Sequence, residues 1–135
     1  MAEIGSYLYI AKKDLSRAKI MHAAQDYSAG GRFSEQSVEK CLKAFIEQNG
    51  ISDDYRLMSL HKPRRLYERC LELGLSSLSD KDICTLSQLA DYYYDTNYPG
   101  NAYFELTKAQ SQEALELAEK VVVLIEAALE RENEE

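Results

Sequence analysis

The residues most able to do chemistry lie in one short string, His61-Lys62-Pro63-Arg64-Arg65-Leu66-Tyr67-Glu68-Arg69. Four cations and one Glu stand here in a chain of formal net charge −7. Lys62, Arg64 and Arg65 precede an apolar helical pattern, so they fall near a helix N-terminus, where free amides favour anions. A phosphate-bearing ligand or an acidic partner surface suits such a place, as does a plain solvated helix face. A second polar set, Gln36, Lys40, Lys43 and Glu47, repeats at four and three on the flank of one helix. It reads either as a solvent face with intrahelical pairs or as the lining of a cleft. Lys40, Lys43, His61, Arg64 and Arg65 are therefore the candidate phosphate-binding residues.

Other chemistry is sparse. The two histidines, three scattered cysteines and absence of a Gly-rich loop leave no usual nucleophile or phosphate-loop motif. His22 falls on an apolar seam and reads as a hydrogen-bonded core or interface residue. Cys41, Cys70 and Cys84 have no paired spacing and apolar neighbours, so they are expected to be buried, reduced thiols. Neither a metal nor a cofactor is expected. An acidic chain is a poor general binder of nucleic acid unless its positive charge is gathered in one place. The N-terminus shows no basic start followed by an apolar core, and the longest apolar run, Val121 to Ile125, is far too short to span a bilayer. A cytoplasmic location is expected.

The elements that position these residues read as helices throughout. Ile4, Leu8, Ala11, Leu15, Ala18 and His22 recur at four and three, which predicts a helix over 3–28 closed by Gly30-Gly31. A second helix is predicted over 33–49, with Val38, Cys41, Leu42, Phe45 and Ile46 inward and Glu39 placed four residues before Lys43, the favoured order for an ion pair. Residues 50–60 read as a loop. Pro63 and Gly74 bracket a third helix over 62–74. Ser79 and Asp82 form a capping box that opens a fourth over 80–95, broken by Asn97-Tyr98-Pro99-Gly100. A fifth runs over 107–131, and its Glu-rich end, about 130–135, is expected to fray. With 135 residues and no period-two alternation, the expectation is one all-α domain over 1–135, an up-and-down antiparallel bundle of four to five helices.

Two features predict self-association. Tyr92, Tyr93 and Tyr94 point rings in directions that one core cannot absorb. The band of Val121, Val122, Leu124, Ile125, Ala128 and Leu129 covers more than half of the fifth helix and asks for cover on two sides. Tyr92, Tyr94, Tyr98, Val122 and Ile125 are the expected interface residues of a homodimer.

Taken together, Asp14-Leu15 with Ala18, the run Phe33 to Ala44, His61 with Leu66, and Tyr94 through Tyr98-Pro99-Gly100 resemble the HEPN (higher eukaryotes and prokaryotes nucleotide-binding) domain. The Gln36-x-x-Glu39-Lys40-x-Leu42-Lys43-Ala44 core is the most specific part. The resemblance implies a helical bundle that pairs into a homodimer and is often encoded beside a minimal nucleotidyltransferase, in toxin–antitoxin or defence modules. It also implies, for some members, metal-independent RNA cleavage by an Arg followed after four to six residues by a His, near the fourth helix. In the most similar branch that Arg falls in an Arg-Tyr-Pro string. Here the position holds Asn97, and no His follows it. The resemblance therefore implies a catalytically inactive binding module for a nucleotide, RNA or a nucleotidyltransferase. The alternatives are a ribonuclease toxin, with Arg56 and His61 as a displaced pair, and a structural protein-interaction adaptor.

Overall fold

A computed structural model describes residues 3–134, the side chains of Tyr94 and Glu134 excepted. The described residues form six α-helices and no strand: α1 (Tyr7–Ala23), α2 (Tyr27–Asn49), α3 (Tyr55–Met58), α4 (Pro63–Glu72), α5 (Asp80–Asp95) and α6 (Lys108–Glu134). The long helices alternate in direction, as an up-and-down bundle requires. Lys12 meets Glu126 and His22 meets Ser111, so α1 and α6 are antiparallel. Gly30 packs near Ser111, while Asn49 reaches Glu132, so α2 and α6 run the same way. Asp82 reaches Lys120 from α5, which runs against α6.

Local sequence explains most boundaries. Ser6 Oγ accepts from Tyr9 N at 3.2 Å and caps α1. Ser79 Oγ accepts from Asp82 N at 3.2 Å. Thr107 and Gln110 cap α6 reciprocally, each side chain accepting from the other's backbone N–H. Gly74 ends α4 at φ +100°, with Leu75 N donating back to Cys70 O.

The Gly30-Gly31 stop was not where the first helix ends. Helix α1 closes at Ala23, Gln25 takes φ 67°, and Asp26 N donates back to Met21 O. Asp26 then caps α2 by accepting from Ala29 N at 3.1 Å. Both glycines lie inside α2 because neighbours come too close for a side chain. A Cβ on Gly30 would stand 2.7 Å from Ser111 Oγ, and one on Gly31 would overlap Leu106 Cδ2.

Three further expectations are corrected. The 50–60 segment is not plain loop: a 3-10 turn at Ser52–Asp54 and α3 interrupt it. Arg69 anchors them with two hydrogen bonds to Asp54, at 2.9 and 3.1 Å. The Arg69 guanidinium holds the Asp54 carboxyl below the ordinary carboxylate value. The last helix ends at Glu134 rather than near 131, and Gln48 and Asn49 both donate to Glu132 Oε2. Cys41 and Cys70 are buried as expected, but Cys84 lies on the outer face of α5. Burial pushes the Cys70 thiol up to about 12.

The core lies between α2 and α6, with α5 and α4 closing it: Leu42, Phe45, Leu66, Leu89, Leu117 and Ile125 are all buried. The wide apolar band of α6 is covered by this one chain. Val121, Val122, Ile125 and Ala128 are buried, and Leu124 and Leu129 are half-buried against the core. Val122 and Ile125 thus have no open surface to offer a partner. Tyr92 is likewise buried, edge-on to Phe104 with ring centroids 6.1 Å apart, because residues 96–106 fold back over α5. Tyr98 and Tyr103 stay half-exposed, and the outward residue of the α6 apolar run is Val123.

Candidate functional site

Part of the polar side of α2 faces inward, while Gln36 and Lys40 are half-buried and Glu47 is exposed. Glu35, Glu39 and Lys43 are buried, and so is Asp14 on α1. Lys43 Nζ donates to Glu39 Oε1 at 2.9 Å, the intrahelical pair expected from their spacing. His61 Nδ1 meets the same Glu39 Oε1 at 2.7 Å. The start of α4 is thereby pinned to the middle of α2. Lys40 turns the other way. Its Nζ donates to Asp14 Oδ2 at 3.2 Å and to Gln36 Oε1 at 2.9 Å, and Arg17 donates to Asp14 Oδ1 at 2.9 Å. This second cluster ties α2 to α1.

The five candidate phosphate-binding residues therefore divide. Lys43 and His61 come together, but on a carboxylate. Lys40 holds Asp14. Arg64 is exposed, donates to Ser87 Oγ at 2.8 Å and pairs with Glu68 at 3.4 Å. Arg65 is exposed at the rim of a cleft of about 450 Å³ beside α3 and α4, which Arg56 and Arg69 also line together with Asp54, Glu68 and Glu72. The mixed charge of this cleft leaves it without a strong positive field. Arg56 belongs to it, whereas His61 is turned to Glu39.

His61 has the more suggestive geometry. A buried carboxylate orients its Nδ1, while 57% of the side chain stays exposed. Fixing one ring nitrogen in this way leaves the other for solvent or a ligand. Burial opposes the charge on Glu39, yet hydrogen bonds from Glu35, Lys43 and His61 outweigh it and hold the carboxyl below its ordinary value. His22 fills the structural part expected of it: Nδ1 lies 2.8 Å from Ser111 Oγ, and the ring tilts against Tyr27.

Asn97, Tyr98, Pro99 and Gly100 are exposed just after α5. Arg32 of α2 reaches this end of the bundle, donating to Thr96 O at 3.3 Å and Thr96 Oγ1 at 3.2 Å. Sequence reading missed Arg32, since nothing in its neighbourhood along the chain marks it out. Among the described residues no group of His, Cys, Asp and Glu could hold a metal ion. No described helix is long and apolar enough to cross a membrane.

The described residues thus form an all-helical bundle with a charged second helix and an exposed Tyr-Pro-Gly turn after α5. The HEPN domain family model matches residues 4–128, and the chain belongs to that family. No match to a curated protein sequence was found. Solved structures share the fold at low identity. One, a crystal structure of an archaeal HEPN homologue, is 17% identical, with a TM-score of 0.64 over 95% of this chain and 98% of that one. Another, a crystal structure of a Thermus thermophilus protein, is 22% identical, with a TM-score of 0.66 over 90% of this chain and 94% of that one.

Proposed function

We propose that this chain is a HEPN-type binding module that does not cleave RNA. It acts as a homodimer in the cytoplasm and takes a nucleotide, RNA or a nucleotidyltransferase as its partner, in a toxin–antitoxin or defence module. One observation carries the reading. Asn97 stands where ribonuclease members carry Arg, and no His follows it. An amide cannot supply the positive charge that stabilises a phosphodiester transition state, nor can it move the proton that an imidazole would. The expected result is no RNA cleavage above background in a time course with tRNA and single-stranded RNA. Cleavage that disappears in Arg56→Ala or His61→Ala would favour the second reading, a ribonuclease built on the Glu39-oriented His61.

Anion binding is proposed at His61, Arg64 and Arg65, whereas Lys43 is held by Glu39 and Lys40 by Asp14. Support comes from the exposed cations at the start of α4, where backbone amides are also free. Nucleotide affinity should fall as salt rises and should drop in Arg65→Ala. Calorimetry showing identical binding in Arg64→Ala, Arg65→Ala and wild type would remove this site.

HEPN domains commonly dimerise. The surface proposed for pairing here is the α5 end with Tyr98 and Tyr103, each about half exposed. A stable interface would bury on the order of 1,600 Å² in total. Light scattering at micromolar concentration should give twice the 15.4 kDa chain mass. A monomer mass that does not change on concentrating the sample would overturn the dimer.

A further inference from the structure

We propose that Glu35 and Glu39 form a proton-binding site in the helical core, in which the Glu35 carboxyl keeps its proton at neutral pH and donates it to Glu39 Oε2. The two side chains are one turn apart on α2, and each residue is 1% exposed. Their donors are unequally shared. Glu39 Oε1 receives both Lys43 Nζ and His61 Nδ1. Glu35 Oε2 accepts from Gln36 Nε2 at 2.6 Å. Glu39 Oε2 is buried and meets no donor from any amide, lysine or histidine. A buried acceptor without a donor is costly and rare in folded proteins. The Glu35 carboxyl is the neighbour that can satisfy it, and only in its protonated form.

Charge counting reaches the same result. Among the described residues the buried charged side chains are Asp14, Glu35, Glu39 and Lys43. Lys43 balances Glu39. Lys40, the next nearest cation on α2, is committed to Asp14 of α1, which Arg17 also holds. From the segment before α4 comes His61, already bonded to Glu39. Helices α5 and α6 turn buried apolar residues to the core, such as Leu86, Leu89, Leu117 and Val121, and among the described side chains of α5 Tyr92 is buried with its hydroxyl pointing to Gln88 Oε1. A second ionised carboxylate would thus be buried without a counter-charge, which a low-dielectric interior does not tolerate. Burial, followed by the Glu39 contact, accordingly pushes the Glu35 carboxyl far above the ordinary carboxylate value.

The consequence is a fold that takes up a proton when it forms. The unfolded chain ionises Glu35 in the ordinary range, whereas the folded chain does not. The stabilisation is therefore complete below that range and is lost as pH rises toward the folded carboxyl's own titration. Across that window one extra proton in the folded state raises the unfolding equilibrium constant by up to about tenfold per pH unit.

Urea unfolding of the full chain, followed by circular dichroism from about pH 5 to about pH 8, tests this. Wild type should lose stability more steeply with pH than Glu35→Gln, with the ratio of their unfolding constants changing by up to about tenfold per unit. The amide in Glu35→Gln still donates to Glu39 Oε2, so it should fold and resist alkali. Parallel pH curves would overturn the proposal. If the variant does not fold, carbon-13 NMR of the wild-type glutamate carboxyls decides: one should remain protonated at pH 7. If every glutamate carboxyl titrates in the ordinary range, no such proton is held.

Discussion

Replacing Lys43 with Met should destabilise the fold by about 3 kcal/mol or more, the usual cost of stripping one partner from a buried ion pair. Lys43 is 6% exposed and its ammonium is the charge beside a carboxylate that is itself 1% exposed. Without it, Glu39 keeps a hydrogen bond to His61 but loses its permanent counter-charge. The loss should shrink on acidification, because Glu39 can then take up a proton and stop needing one. It should also shrink in the double variant Lys43→Met/Glu39→Leu, in which neither charge is buried. Urea unfolding at pH 7 and pH 5 measures both effects. A cost under about 1 kcal/mol at pH 7 would mean that the pair opens to water and behaves like a surface ion pair. Because Lys43 carries the fold in this way, a fall in nucleotide binding in Lys43→Ala would not separate a ligand contact from lost structure. Arg64 and Arg65 are exposed and do separate them.

Ile125→Ala should cost about 2–5 kcal/mol, and the cost should not depend on protein concentration. The side chain is 0% exposed within a single chain, so its removal leaves a cavity between α2 and α6. A residue at a dimer interface behaves differently: its truncation weakens association, and apparent stability then varies with concentration through mass action. Thermal unfolding at two concentrations a hundredfold apart distinguishes the two. A change in stability that grows on dilution would place Ile125 between subunits after all.

Helix α6 shows why the apolar band misleads. Its periodicity is real, and each of Val121, Val122, Ile125 and Ala128 is buried. Yet the pattern of one helix says how much of its circumference must be covered, not how many neighbours will cover it. Here α1, α2 and α5 all pack on α6, and three helices cover what two chains were expected to share. The glycines at 30 and 31 carry a parallel lesson. Glycine is equally suited to a left-handed helix end and to close helix packing. The left-handed residue at the turn is Gln25, and the glycines serve contact with Ser111 and Leu106, which are about 80 residues away along the chain.

Much of the molecule was legible in residue order alone. The helical class, the starts of α4 and α5 at Pro63 and Ser79, the end of α4 at Gly74 and the Glu39–Lys43 pair all follow from short-range rules of spacing, capping and backbone freedom. So did the HEPN membership, from motifs spread in order along the chain. Tertiary structure alone decided which face of α2 is interior. Gln36, Lys40, Lys43 and Glu47 read along the chain either as a solvated flank or as the lining of a cleft, because charge normally belongs outside. Lys43 goes inside with Glu35 and Glu39, Gln36 and Lys40 are half-buried and Glu47 stays exposed, because α1, the start of α4 and the bundle core close around one side of the helix. Asp14 and His61 then supply partners from 26 and 22 residues away. Burial of a charge depends on partners that meet it in space, and no local pattern records who those partners are.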